Sequence, residues 1–492
     1  MKYLFEGEKM IASTQPGRSK TTRSKFIDKQ NRDGLTAIHF AAFRGNVAII
    51  KYLIEWGGNP FIWDNDGHNV IHIAAQGDKV STIYYFIKNY NFDVNERDKK
   101  RSSALHWAAY LNKEISLTYL IAWGADVNSK DSENNTPLHL AVLTSQKVYE
   151  TRWVKILLLK GAKRGIRNRD NEAPIDLVKE STNVEHELRS ILKEQRYWTC
   201  LMLKVPITKI TRNHKTLIFF ILLFTFISGI TIIYILNRVD EHHFKPLLII
   251  FGILAFLQLF SFMLAAVIDP GYLKKDPNID FQELLNKTDP FNLCPEWEII
   301  RTPRSRHCNI CNRCVERFDH HCPYLNNWVG YRNHKFFLMF ISLLVINISY
   351  IFGLTIYALV LGYDRDRYII DIPIYIKPLF YAACSIIIAI SCFFLPFTSI
   401  LSIVHSLNFC KNRTTNERFS NRHNDGDNNS LMTSSMLDNS DNSHLLGSND
   451  DTMLRTTFMG PKDGSCLGNC GRMWFYSPPS QAQMKSEYVN LR

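Results

Sequence analysis

The chain has 492 residues, more than one hydrophobic core usually organises, so two or more structural units are expected. Its formal charge of +12 is spread around apolar segments instead of gathered in one basic stripe, which argues against a nucleic-acid partner and for an anionic lipid surface. Apolar residues crowd between Leu217 and Val404, whereas the last stretch is rich in Asn, Ser and Asp, so membrane-spanning and unfolded classes share one chain.

The first residues, MKYLFEGEKMIAS, hold no uninterrupted apolar run because Glu6, Glu8 and Lys9 break it. No cleaved signal peptide is expected, and residues 1–30 read as a disordered cytosolic arm. An internal repeat follows, marked by His39, His72, His106 and His139 at separations of 33, 34 and 33 residues. That is the ankyrin period. Asp33-Gly34, Asp66-Gly67 and Glu133-Asn134 supply the turns, and Gly57, Gly124 and Gly161 supply left-handed caps after the second helix of a copy. A fading fifth copy from Ala173 reads as a cap, so residues 31–195 form the array and 196–216 a linker. The four histidines are read as structural ties of the turn backbone, not as ligands.

Four stretches without Asp, Glu, Lys or Arg come next, at 217–236, 246–268, 336–361 and 378–404. Each is long enough to cross a hydrocarbon layer of about 30 Å as a helix, and Pro396 is expected to kink the fourth. Ten Lys or Arg fall between the second and third stretches, against two and three in the other two loops. The positive-inside rule therefore places residues 269–335 and both termini in the cytosol. Helices one and two occupy 217–268, helices three and four 336–404, and 405–492 reads as a largely disordered tail.

Five of the eleven cysteines (Cys294, Cys308, Cys311, Cys314 and Cys322) lie within thirty residues, beside His307, His320 and His321. Such mixing of Cys with His favours metal binding or catalysis over disulfides. The run His307-Cys308-x2-Cys311-x2-Cys314, followed by Asp319-His320-His321-Cys322-Pro323, resembles the cysteine-rich domain of DHHC palmitoyltransferases. Asp269-Pro270-Gly271 is similar to the family's DPG motif, Thr414-Thr415-Asn416-Glu417 to its TTxE motif, and Asn333 and Phe337 fit positions after the active site. With repeats in front, the whole resembles the ankyrin-repeat members typified by the huntingtin-interacting protein and yeast Akr. Phe40 stands where those members place a peptide-binding aromatic, although they tend to have six spans.

The resemblance implies a mostly α fold: an ankyrin solenoid, a four-helix transmembrane domain and a cytosolic zinc-binding cysteine-rich domain. It implies a protein S-acyltransferase in which Cys322 is the nucleophile, His320 the base and Asp319 its orienting partner. Thr415, Tyr324, Asp269 and Asn333 take supporting places. A neutral thiol is a poor nucleophile near neutral pH, and an adjacent imidazole corrects this. Palmitoyl-CoA or another long-chain acyl-CoA is the implied co-substrate. The implied partners are substrate proteins recruited by the repeats and the bilayer, in the Golgi or another endomembrane.

One or two structural zinc ions are also implied, with Cys294, His307 and Cys314 in one site and Cys308, Cys311 and His321 in the other. Trp297 and Trp328 stand where each fourth cysteine would be, and indole offers a metal no lone pair. Tyr324 replaces a tryptophan. Three explanations for the tryptophans stay open: Glu296, Glu298 or water completes a site; one zinc collects Cys308, Cys311, Cys314 and His321; or cysteine codons were misread. The alternative function is a weakly active or inactive ankyrin and zinc scaffold at the membrane. Because no expected catalytic residue precedes Asp269, the repeats are expected to be dispensable for self-acylation.

Overall fold

The computed structural model describes residues 26–179, 184–193, 241–302, 304–308, 312–322, 324–363, 377–415 and 480–490. The expected span at 217–236, the linker, Cys311, Asn416 and Glu417, and most of the arm and tail lie outside the described residues.

Four helix pairs build the array: α1 Ala37–Arg44 with α2 Val47–Glu55, α3 Val70–Gln76 with α4 Val80–Tyr90, α5 Ala104–Tyr110 with α6 Glu114–Ala122, and α7 Pro137–Val148 with α8 Arg152–Leu159. Helix α9, Glu185–Leu192, closes the far end through Leu188, Ile191 and Leu192, which join the array's apolar core. The repeating histidines explain how short helices start cleanly. Thr36, Asn69, Ser103 and Thr136 are the N-caps, and the histidine three residues on returns Nδ1 to the cap's backbone N–H, at 3.1 Å for Thr36, Ser103 and Thr136. The opposite nitrogen, Nε2, of His72, His106 and His139 lies 3.2 Å from the carbonyl oxygens of Ser102, Asn135 and Glu172 in the following repeat. A neutral imidazole accepts at Nδ1 and donates at Nε2, and burial holds His72 down to about 4, so that tautomer persists. Gly57, Gly124 and Gly161 adopt positive φ, as their cap positions require.

The array does not stand apart. Helix α10, Glu241–Val267, leads into helix α11, Phe281–Lys287, and α11 packs on α4. Val80, Tyr84 and Tyr119 from the repeats share one buried cluster with Phe281, Leu284, Leu285, Leu293 and Ile300. Tyr119 donates its hydroxyl to the Pro290 carbonyl at 2.7 Å, and Tyr84 to Glu298 at 3.0 Å. These contacts alter the sequence expectation of a dispensable array: without it, an apolar face of the cysteine-rich region meets water.

Three two-stranded antiparallel hairpins form the cysteine-rich region: β1 Leu293–Cys294 with β2 Ile299–Ile300, β3 Arg306–Cys308 with β4 Arg313–Val315, and β5 His320–Cys322 with β6 Asn327–Val329. Helices α12, His334–Tyr363, and α13, Lys377–Cys410, follow, and α13 carries Pro396 within it. Three described segments are long and apolar enough to cross a membrane: Pro246–Val267, His334–Val360 and Pro378–Cys410. Polar side chains tie them together: Asn347 donates to Gln258, Tyr350 to the Leu247 carbonyl at 3.0 Å, and Ser342 meets Ser402 at 3.3 Å. Such pairs supply the helix-to-helix attraction that apolar surface cannot supply in lipid.

Within the stretch read from composition as tail, helix α14, Gln481–Asn490, docks on β2. The Gln481 amide accepts from the Ile300 N–H at 2.9 Å and donates to the Ile300 carbonyl at 3.1 Å. Met484 is fully buried in the cluster shared with the repeats, and Lys485 pairs with Glu283 at 2.5 Å.

Candidate active site and metal centre

Hairpin β5–β6 sets the reactive residues. Its register pairs His320 with Val329, His321 with Trp328 and Cys322 with Asn327. Because side chains alternate along a strand, His320 and Cys322 share one face and His321 takes the other. The two histidines are thereby sorted into different environments. Cys322 is 6% exposed and packs with Phe262, Ala265, Leu325, Val329 and Phe337, where the ends of two spans meet the hairpin.

His320 Nδ1 lies 2.7 Å from Asp319 Oδ2, and Cys322 lies on the same face of β5 as the imidazole. Burial pulls the His320 pKa down, but the interactions with Asp319 and Cys322 and their charges outweigh it and raise it to about 10. Asp319 is itself buried, which alone would raise its carboxyl; the His320 bond and surrounding imidazoles hold it well below the usual carboxylate range instead. Its second oxygen accepts the Thr415 backbone N–H at 2.5 Å. Thr415 thus reaches the aspartate through its main chain, while its hydroxyl accepts from Asn408 Nδ2 at 3.2 Å.

Asp269 and Asn333 brace the site from below. Asp269 Oδ1 accepts the backbone N–H groups of Gly271 and Tyr272, both at 2.9 Å, folding a turn that sends Gly271 O to the Glu316 N–H. Gly330 passes so close to this turn that an added Cβ would lie 2.5 Å from the Pro270 carbonyl oxygen. Asn333, fully buried, accepts from Gly330 N at 2.9 Å and donates to Ala265 O at 3.0 Å and to Trp328 O. One side chain joins β6 to the ends of α10 and α12. Tyr324 is 58% exposed just after Cys322.

Sequence reasoning missed His405 and His334. His405 sits near the end of α13 with Nδ1 3.9 Å from Asp319 Oδ2 and its ring centroid 5.5 Å from that of His320, and His334 opens α12 beside it. The available signal was an ionisable residue at the end of an apolar span.

The metal donors are brought together unevenly. Cys294, His307 and Cys314 place one ligand atom each within 4.8 Å of one another, with His307 Nδ1 3.4 Å from Cys294 Sγ and 3.7 Å from Cys314 Sγ. A buried set of two thiols and an imidazole suits zinc. Trp297 packs against Cys294 and Cys314 and donates its indole N–H to Asn312 O. For the second expected set, Cys311 is outside the described residues; Cys308 lies in an apolar cluster with Val315, Phe318 and Trp328, and the His321 ring packs on Trp328 at 4.9 Å.

The DHHC palmitoyltransferase family pattern matches residues 287–422, and the ankyrin-repeat pattern matches residues 10–98 and 71–168. The chain carries a DHHC palmitoyltransferase domain behind ankyrin repeats. Curated relatives over part of the chain are palmitoyltransferases by name. They include palmitoyltransferase ZDHHC8 of Drosophila melanogaster, 38% identical over 115 residues (21% of this chain, 12% of the relative). Human palmitoyltransferase ZDHHC14 is 36% identical over 132 residues (27% and 26%), and Danio rerio palmitoyltransferase ZDHHC5-B is 30% identical over 192 residues (36% and 27%). The chain therefore spans about a quarter or less of the length of these relatives. The family pattern's span, residues 287–422, holds the Asp319, His320 and Cys322 constellation.

Proposed function

We propose that the protein is a protein S-acyltransferase that carries a long-chain acyl group, palmitate being the family's, on Cys322. The observation that carries this reading is the chain of contacts from Thr415 N–H through Asp319 to His320, on a strand face shared with a Cys322 thiol at the edge of the spans. Zinc binding alone would require no such relay.

In the first step the proton of the Cys322 thiol already rests on His320, whose raised pKa keeps it there, and Cys322 Sγ attacks the thioester carbonyl of acyl-CoA. The carbon–sulfur bond to CoA breaks, and the CoA thiolate takes that proton to leave as the free thiol. In the second step a substrate cysteine loses its proton to His320 and attacks acyl-Cys322, and the Cys322 sulfur leaves and is reprotonated. One thioester is exchanged for another in each step, so positioning and a supply of thiolate suffice. Asp319 orients the imidazole and stabilises its charge, as in a Cys-His-Asp triad. Tyr324 offers an aromatic face beside the reacting thioester. Zinc, when bound, supplies structural order to the hairpins, held by Cys294, His307 and Cys314 and, in the second set, by Cys308, Cys311 and His321.

The spans, with the stretch at 217–236, and the basic intervening segment support a multi-pass topology with both termini cytosolic; the Golgi or another endomembrane is what the resemblance to the ankyrin-repeat members implies. The repeats would recruit substrate proteins. The decisive experiment feeds the full chain a clickable palmitate analogue and asks for hydroxylamine-sensitive label. Cys322→Ser is expected to remove it and His320→Ala to reduce it strongly. Undiminished label on Cys322→Ser would transfer the weight to a scaffold that recruits partners without catalysis.

A further inference from the structure

The cluster of Cys294, His307 and Cys314 offers three donors, and a structural zinc requires four. The turn between β1 and β2 decides what can stand at the remaining corner. Three side chains leave that turn in different directions. Trp297 goes to the Asn312 carbonyl and stacks under Arg313, whose guanidinium carbon is 5.5 Å from its ring. Glu298 goes outward to Tyr84 and Lys275. Trp297 also packs its ring on Cys294 and Cys314, but an indole offers a metal no lone pair, so Glu296, whose carboxylate reaches Cys294 Sγ, is the turn residue with a donor at the cluster.

The Glu296 carboxylate divides its two oxygens. Oε2 lies 3.5 Å from Cys294 Sγ, and Oε1 lies 2.6 Å from Lys160 Nζ and 3.8 Å from His307 Nε2. In a tetrahedral zinc site, metal bonds of about 2.3 Å to sulfur and about 2.0 Å to nitrogen or oxygen set neighbouring donors roughly 3.5 Å apart. The distances from Cys294 Sγ to His307 Nδ1 (3.4 Å) and to Glu296 Oε2 (3.5 Å) match such edges, as does Cys314 Sγ to His307 Nδ1 at 3.7 Å; Glu296 stands at the Cys294 edge, outside the three donors that lie within 4.8 Å of one another, so a turn of its side chain is needed to close the fourth corner. A largely buried carboxylate beside thiols needs a compensating cation. Lys160, the residue that caps α8, supplies one from the ankyrin array.

We propose that Glu296 Oε2 is the fourth zinc donor in place of the missing cysteine, and that Lys160, by gripping Oε1, makes the ankyrin array part of the metal site. A ligating carboxylate is ordinarily fixed by an outer partner of this kind, which sets its orientation and the affinity of the site. The stabilising link then runs from metal to hairpin to repeat, in addition to the apolar contact of Tyr84 and Tyr119. It does not depend on whether Cys322 transfers an acyl group.

The test uses the full chain in detergent, with zinc content by elemental analysis, affinity by chelator competition, and visible absorption after replacing zinc by cobalt(II). Glu296→Gln is expected to weaken zinc by roughly a hundredfold and Lys160→Met by about tenfold. Glu298→Gln, one residue beyond the tryptophan, is expected to leave affinity within about twofold, since its carboxylate faces away. Glu296→Cys guards against a folding failure: it should hold metal more tightly than Glu296→Gln and add a thiolate-to-cobalt absorption band. Wild-type affinity and an unaltered cobalt spectrum in Glu296→Gln would overturn the assignment, as would failure of Glu296→Cys to outbind it. Unchanged affinity in Lys160→Met beside a weakened Glu296→Gln would overturn the link to the array.

Discussion

The Thr415 backbone N–H donates to Asp319 Oδ1 at 2.5 Å across 96 residues of sequence, tying the chain beyond the last span to the aspartate that orients His320. Because the donor is main chain, the identity of the side chain should matter less than its backbone. Thr415→Ala keeps the N–H and loses one ordinary hydrogen bond with Asn408, worth about 1 kcal/mol. Thr415→Pro removes the donor and leaves one oxygen of a buried carboxylate unpaired. Cys322 self-acylation should fall less than about fivefold in the alanine variant and more than about tenfold in the proline variant, given about 1–3 kcal/mol for an unsatisfied buried group. Equal rates in the two variants would remove the main-chain bond from the account.

The Asp319–His320 pair should leave a pH signature on stability. His320 is raised from the imidazole's ordinary value of about 6.5 to about 10, so its contribution is complete below about pH 6.5 and is lost as pH rises toward 10. Asp319 is depressed, so its contribution is present above its unfolded value of about 3.9 and is lost only as pH falls below that. The difference in melting temperature between the wild type and Asp319→Asn should therefore hold steady between about pH 5 and 6.5 and narrow from there to pH 10. A gap that widens over that range would mean that His320 is not the proton-holding partner.

Local rules made the repeats legible. Four histidines at the ankyrin period announced capping boxes, because an N-cap and its N3 residue are neighbours in sequence as well as in space. Asp319, His320 and Cys322 were singled out by their resemblance to the family motif, and the alternation of β5 puts His320 and Cys322 on one face. What stayed hidden depends on long-range contact. His405 meets Asp319 only after α13 returns to the hairpin, and Tyr84 and Tyr119 bury against Phe281 and Pro290 across nearly two hundred residues. Composition also concealed α14, whose ten residues are mostly polar but present Gln481 and Met484 to a preformed surface. The sequence left Glu296, Glu298 and water open as replacements for a cysteine, and the turn geometry separates the two glutamates.

His405 should act by shape. Its ring centroid lies 5.5 Å from that of His320 and 5.2 Å from that of Phe337, closing the side of the imidazole away from β6. His405→Ala opens space into which His320 can swing, and misplacement of about 1 Å can cost on the order of a hundredfold in rate. His405→Phe refills it. Self-acylation is expected to drop strongly in the alanine variant and to recover most of the loss with phenylalanine. A phenylalanine variant as slow as alanine would assign His405 a polar role toward Asp319.

Helix α14 should behave as a clasp whose release can be read at one amide. The Ile300 N–H donates to Gln481 Oε1 and the Ile300 carbonyl accepts from Gln481 Nε2, so a side chain extends the edge of β2 in the way another strand would. Met484 anchors the same helix in the cluster formed by Tyr84, Phe281 and Leu284, where complete burial is worth about 1.5–3 kcal/mol. Met484→Asp should undock the helix without touching β2 itself. Hydrogen exchange at Ile300 should then accelerate by about tenfold or more, as loss of a net 1–1.5 kcal/mol implies, and protease should cut sooner near residue 480. Gln481→Ala should give the faster Ile300 exchange with a smaller change in proteolysis, because Met484 still holds. If Ile300 exchanges at the wild-type rate in both variants, its protection comes from the hairpin alone and α14 is not a clasp.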